Sequence, residues 1–320
     1  MPPPQFPRTL LEFADRFPTE REALDYLTAC RWPDDEFQCP ACSHTAAYTI
    51  ATRKTRECTK CRRQVSATAG TVMHRSRLPV RTWLLAAWLV VTDKRGLSAK
   101  QLQRQIGGRY ETAYQVLHRL RAAMVAPARS QLYGLVEVDE TLIGAPKRGR
   151  PERTPADKAI VLGAVEVRPG KRGFYPSRIR LRHVPRYRKE LLIGFVESVV
   201  ERGTIVVTDG KPDYAGLAKL GFEHGCESTA IGDDPADVLK HFHLAISNLK
   251  AWLDGTFHGA VSKKHLQSYL NEFAFRYNRR GNLHAAFQRL LGLGAQVRGP
   301  SYEQIYAHPD DDGAWVHPGA

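Results

Sequence analysis

The sequence predicts a mixed α/β protein built in parts: a sheet-centred domain in the second half, preceded by a metal-bound ribbon and a helical segment. Three observations carry this. Four of six cysteines form two tight pairs within residues 31–75. Three helical stretches follow over 78–126. From Leu135 onward short β-branched runs alternate with helical patterns, which is the pattern of an α/β domain. At 320 residues and 36.0 kDa, 42% hydrophobic, the chain can bury a sizeable core and form two or three compact units. Lys and Arg number 47 against 33 Asp and Glu, a formal charge of +14 with a pI near 9.6. That surplus favours a polyanionic partner and excludes an acidic disordered chain. No apolar run reaches the roughly 18–20 residues of a membrane span. The N-terminus lacks the apolar segment and small-residue cleavage site of a signal peptide, so a cytoplasmic, nucleoid-associated protein without membrane contact is expected.

Taken in order, residues 1–30 carry Leu10, Leu11, Phe13, Phe17, Leu24, Tyr26 and Leu27 near the helical period, with a break at Pro18. Helices are expected in three pieces over 78–126, broken near Asp93–Gly96 and at Gly107–Gly108. Strands are expected over Leu135–Ile143, Ala159–Val167, Arg178–Val184 and Thr204–Thr208, and helices over Arg186–Arg202, Asp237–Leu253 and Lys263–Arg279. The stretch from Ser301 has four acids and no Lys or Arg, and reads as a loose tail.

Cys39-Pro-Ala-Cys42 and Cys58-Thr-Lys-Cys61 are separated by 15 residues. Each pair can grip a metal from a tight knuckle, and two knuckles complete a tetrahedral thiolate site for zinc. Four protein ligands leave no open position, so such a zinc is structural and supplies folding energy to a polar segment with little core of its own. Cys30 and Cys226 stand apart and read as ordinary packed thiols.

Within Leu97–Met124 a short helix, a glycine turn and a second helix follow one another. The second helix carries Ala113, Val116, Leu117, Leu120 and Met124 on one stripe and Arg109, Thr112, Gln115, Arg119 and Arg121 on the other face. This is the helix-turn-helix pattern, whose second helix enters a DNA major groove; a plain helical hairpin is the alternative. Lys147, Arg148 and Arg150 flank a glycine before Pro151, as in a minor-groove hook, or form a solvated loop. Residues 145–190 hold fourteen Lys or Arg against four Asp or Glu, a concentration suited to phosphate-backbone contact.

Asp139 lies in an alternating strand that also carries Glu137 and Glu140, and Asp209 ends an apolar strand before a glycine. Two such carboxylates on neighbouring strands can bridge divalent cations for in-line phosphoryl displacement. Read singly, each is a strand-ending turn acid. Tyr269, Leu270, Phe273 and Tyr277 read as core packing, whereas Arg276, Arg279 and Arg280 beyond them steer DNA or are solvated.

The segments CPAC, CTKC and GTVMH, then VEVDET, VVTDG and the block NLKAWLDGTFHGAVSKKHLQSYLNEFAFRYNRR resemble bacterial insertion-sequence transposases of the DDE type. The likeness is to the fifteen-ninety-five family, relatives of the Merlin elements, and spans roughly residues 8–290. It implies a zinc ribbon, a helix-turn-helix and a ribonuclease-H-like domain in which two Asp and a third group on a late helix bind Mg²⁺. It also implies cleavage of one strand at each transposon end, then joining of the freed 3′-hydroxyl to target DNA.

Carried over by motif, the two Asp are Asp139 and Asp209, and the third position falls on His243 rather than an acid. Lys250 follows seven residues later, on the same helix face. Neutral imidazole brings no negative charge and Mg²⁺ prefers oxygen. His243 is therefore expected either to bind a softer ion such as Mn²⁺ or to accept a proton through water, with Lys250 on a DNA phosphate; Asn248, Glu137 and Glu140 are rival ligands. The expected divisions are 1–75 for the first helix and ribbon, 76–130 for the helix-turn-helix, 131–295 for the catalytic domain and 296–320 for a flexible tail. The expected partner is double-stranded DNA, at transposon ends and target, bound by a homo-oligomer. The competing reading is a non-catalytic or domesticated DNA-binding protein.

Overall fold

The computed structural model describes residues 7–126, 129–144, 158–226, 239–258 and 261–306. The chain divides into two compact units, the first drawn from Met1–Met124 and Gly281–Trp315, the second from Val125–Arg280. The first opens with α1 (Leu10–Arg16) and α2 (Glu20–Arg31), broken around Pro18 as expected. Thr9 and Thr19 cap them, their hydroxyls accepting the amides of Glu12 and Arg21. A three-stranded antiparallel ribbon follows, β1 (Ala47–Ile50), β2 (Thr55–Cys58) and β3 (Gln64–Ser66).

Next come α3 (Val80–Thr92), α4 (Ala99–Ile106) and α5 (Tyr110–Ala122), the three helical pieces read from the sequence. Helix α3 buries Trp83, Leu84, Ala87, Trp88 and Val91 and is a core helix. Pro79 cannot cap it, and Glu20 of α2 does so instead, accepting the amides of Val80 at 2.6 Å and Arg81 at 2.9 Å. Helix α4 starts with a Ser98–Gln101 capping box. Gly107 and Gly108, at φ 73° and 76°, turn the chain into α5 in a conformation that glycine adopts without steric cost.

The second unit is a five-stranded sheet in the order β6-β5-β4-β7-β8. Strands β4 (Leu135–Ile143), β5 (Ala159–Gly170) and β6 (Gly173–Val184) form an antiparallel meander. Helix α6 (Lys189–Val199) then crosses to β7 (Ile205–Thr208), which pairs parallel with β4, and β8 (Glu223–Cys226) pairs parallel with β7. Helices α7 (Lys240–Phe257) and α8 (Lys263–Tyr277) complete it. Alternation along β4 sends Val136 and Val138 to the face packed by Leu192, Phe195 and Val206. The opposite face joins Val161, Val165, Ile179 and Leu181 to Phe242, Leu249 and Leu270. Helix α8 also seals the edge strand. Gln267 pairs with the His183 amide and the Leu181 carbonyl, and Asn278 pairs with both polar groups of Ile179.

Two expectations at the C-terminal end are corrected. Helix α9 (Leu283–Gln296) belongs to the first unit rather than to the sheet domain. Its Phe287 ring stacks on Tyr26 with centroids 6.3 Å apart, and the Gly294 carbonyl accepts the Val72 amide at 3.0 Å. The supposed tail contains α10 (Tyr302–Tyr306), with Ile305 buried and Tyr306 against Tyr114 at 5.8 Å. An apolar stripe that finds a partner orders the backbone beneath it, which acidic composition alone does not reveal. Residues beyond 306 lie outside the described residues.

Candidate active site and zinc centre

Strand β4 places Glu137, Asp139 and Thr141 on the face opposite Val136 and Val138, towards α7. The parallel ladder pairs Val136 with Val206 and Glu137 with Val207. Carried two positions further, the same register sets Asp139 beside Asp209, at the carboxyl end of β7 where open α/β sheets place their ligands. Asp139 is 9% exposed and its Oδ1 accepts the Glu140 amide at 2.8 Å. Burial pushes its carboxyl up to about 7; the Glu140 amide opposes this, and the negative charges of Glu140 and Asp209 add to it.

One cation joins the acids. The Lys211 ammonium lies 2.8 Å from Asp209 Oδ2 and 3.9 Å from Asp139 Oδ1, and it pairs with Glu140 Oε1. Those two aspartate oxygens are therefore at most about 7 Å apart, within the reach of ligands to a shared ion pair. Gly210, at φ 81°, turns the chain so that Asp209 Oδ1 also accepts the Lys211 amide at 3.3 Å. Behind Glu140, the fully buried Tyr214 donates its hydroxyl to Oε2 at 3.3 Å. An all-oxygen donor set gathered round a stand-in cation fits Mg²⁺ or Mn²⁺.

Glu137 does something else. Leu239, the residue before helix α7, has φ 50° and offers no capping side chain, and Glu137 supplies the cap from the sheet. Its Oε2 accepts the Phe242 amide at 2.6 Å and its Oε1 accepts His241 Nδ1 at 2.6 Å. Phe242 closes over Gly163, the β5 residue paired with Asp139; a Cβ there would stand 2.7 Å from the ring. His243, Asn248 and Lys250 lie on the exposed side of α7, the first and last seven positions apart. Among the described residues His243 has no hydrogen bond or ion pair to Asp139 or Asp209; Lys211 joins those two. Lys211, Tyr214 and His241 were missed from the sequence, although Lys211 and Tyr214 follow Asp209 directly in Asp-Gly-Lys-Pro-Asp-Tyr.

In the first unit the four predicted cysteines converge, all ligand atoms within 4.8 Å of one another. Cys39 and Cys61 sulfurs are 3.5 Å apart, Cys42 and Cys58 3.6 Å. The two knuckles match: Ser43 and Arg62 donate back to the carbonyls of Cys39 and Cys58, and each takes a left-handed turn, at φ 56° and 60°. The Ala41 amide pulls the Cys39 thiol down to about 6, and the Cys61 amide lowers Cys58. Backbone N–H groups that favour thiolate suit a closed zinc site. The acids around Lys211 are more widely spaced: among the described residues the cysteines alone form a ligand cluster this tight.

Of the residues expected to read DNA, Arg109 is exposed at the start of α5, and Thr112 and Gln115 are half-buried one turn on. Arg119 is turned inward, its guanidinium held by the carbonyls of His74 at 3.1 Å and Pro300 at 3.0 Å, and burial lowers its pKa. Arg121 is 2% exposed. Both leave the outer face because α5 is covered on more than its apolar stripe. Lys147, Arg148 and Arg150 lie outside the described residues. A cleft of about 710 Å³ between the ribbon and the end of α9 is lined by Arg31, Arg63, His74 and Arg298. The half-buried Cys30 thiol packs by Tyr26 and burial raises it to about 11, an inert thiol as expected.

Compared with known families, residues 131–278 match the ISXO2-like transposase domain and residues 18–64 the transposase zinc-ribbon domain. A relative described as an uncharacterized protein in transposable element ISH50, from Halobacterium salinarum, is 28% identical over 291 residues, covering 81% of this chain and 91% of the relative. The second unit is a ribonuclease-H-like fold of mixed sheet and helices. The chain thus carries a transposase domain of the DDE class and a transposase zinc ribbon of the kind found in insertion sequences. None of the described helices is long and apolar enough to cross a membrane.

Proposed function

We infer that this protein binds transposon-end DNA and carries out divalent-metal-dependent strand cleavage and strand transfer. The observation that carries the reading is the meeting of Asp139 and Asp209 around one ammonium, from neighbouring parallel strands. Mg²⁺ or Mn²⁺ bound there supplies activation of a hydroxyl nucleophile and offsets charge on the phosphate. Asp139 and Asp209 hold it, with Glu140 as a nearby third oxygen donor. Glu137 fixes the start of α7 against the sheet, so that His243 and Lys250 leave the helix together. In this reading His243 acts as third ligand or proton acceptor and Lys250 holds a phosphate. Arg109, Thr112 and Gln115, with the basic cleft beside the ribbon, contact DNA. Zinc holds the ribbon, and two ends are brought together by an oligomer of this chain.

The test uses pre-cut end DNA and a target plasmid in Mg²⁺ and in Mn²⁺. Joined products are expected from the unaltered protein only with metal, with at least a hundredfold loss in Asp139→Asn and in Asp209→Asn while DNA binding persists. Full joining by His243→Ala in both ions would remove His243 from the site and leave Glu140 as third donor. One observation favours a second reading, a DNA-binding protein without catalysis: His243 stands exposed and, among the described residues, makes no hydrogen bond or ion pair with either aspartate. That reading wins if metal never elicits cleavage while end DNA is still bound. Cleavage without joining would mark a nuclease.

A further inference from the structure

The geometry points to Lys211 as a resident cation of the acidic site, competing with the divalent metal for the same oxygens of Asp139, Glu140 and Asp209. It rests on the reading of these carboxylates as metal ligands. Three carboxylates turned towards one another repel, and the Lys211 ammonium offsets part of that repulsion from 2.8 Å off Asp209 Oδ2 and 3.9 Å off Asp139 Oδ1. A divalent ion coordinates oxygen at about 2.0–2.6 Å and seeks those same lone pairs. Both cations cannot share the oxygens at these separations, and like charges so close repel strongly in a half-buried setting. Metal therefore enters as Lys211 leaves.

The local chain is built for such an exchange. The Asp209-Gly210-Lys211 turn is pinned by the Lys211 amide on Asp209 Oδ1, so the backbone stays while the flexible side chain moves. That side chain is 42% exposed, against 12% for Asp139, 16% for Glu140 and 25% for Asp209, which gives it a path to solvent that the acids lack. Tyr214 steadies Glu140 from behind. The acids thus remain grouped when the ammonium swings out. Lysine suits this role better than arginine, being a compact point charge on a flexible stem.

The experiment measures Mn²⁺ affinity by titration calorimetry on zinc-loaded full-length protein, together with the Mn²⁺-induced rise in Tm. Lys211→Met and Lys211→Gln are expected to bind Mn²⁺ about tenfold more tightly and to show a larger Tm rise, because the competitor is gone. The gain is expected to persist at about 0.5 M salt, where the effect of a remote charge is screened. Asp209→Asn is expected to abolish the binding, which locates it. Equal or weaker affinity in both Lys211 variants, with Asp209→Asn still abolishing binding, would overturn the competition alone. Mn²⁺ binding that ignores Asp209→Asn would overturn the metal-site reading as well.

Discussion

Single residues in this site serve two masters, fold and chemistry, and the distances separate them. Glu137 and Asp139 lie two positions apart on one strand face, yet one caps a helix and the other faces a cation. Helix α7 lacks a capping side chain of its own, so the sheet provides it, as Glu20 does for α3. Gly163 matters for the same local geometry. It faces Phe242 across from Asp139, and any side chain there meets the ring at 2.7 Å. Gly163→Ala is expected to cost about 1–3 kcal/mol in denaturant unfolding through overpacking, and to reduce cleavage by displacing the start of α7. A stability within 0.3 kcal/mol or so of the parent would show that Phe242 moves freely.

At the scale of elements, β5 and β6 are tied together away from the candidate active site by a buried carboxylate. Glu166 has a fully buried side chain; it accepts Arg168 Nε at 2.6 Å and Arg178 Nε at 3.0 Å, and the Tyr133 amide at 3.2 Å. Burial alone would raise its pKa, but Arg178, the Tyr133 amide and Arg168 outweigh it and the group ends below its usual 4.5. A carboxyl lowered in the folded state contributes stability that is fully present above about 4.5 and is lost as pH falls through the native value. The second unit is therefore expected to weaken below about pH 4.5, and Glu166→Gln to lose about 3–5 kcal/mol at pH 7 while flattening that acid limb. Chemical denaturation followed from pH 7 to pH 3 checks both. The ribbon is expected to depend on its metal in a comparable way. A chelator that strips zinc is expected to unfold β1–β3 and expose the Cys58 thiol, which is 0% exposed in the folded ribbon. Thiol labelling with and without chelator reads this directly, and unchanged protection would refute a structural zinc.

For the molecule as a whole, the net charge of +14 is expected to make the proposed DNA affinity steeply salt-dependent, and basic residues appear in both units. Much of the architecture is legible in the amino-acid sequence itself. Strand β4 and helices α3, α4 and α5 follow from their periodicity, because each buries one regular stripe. The cysteine knuckles follow from spacing alone. Strand β8, Glu-His-Gly-Cys, is not legible, since it has too few apolar residues to alternate. The place of α9 is not legible either, since a stripe does not name its partner. Arg119 and Arg121 mislead for a related reason: a polar face on paper is exposed only if nothing covers it. Lys211 escapes notice because charge complementarity between a strand end and the next turn is a three-dimensional property.

The central claim is that Asp139 and Asp209 share a divalent cation. An anomalous difference map from crystals of the zinc-loaded protein grown with Mn²⁺ tests it most directly. The account predicts a Mn²⁺ peak within coordination distance of both carboxylates, with Lys211 turned away, and none at that place in Asp209→Asn. A Mn²⁺ peak bound elsewhere, with the two aspartates still bridged by Lys211 at saturating metal, would contradict it.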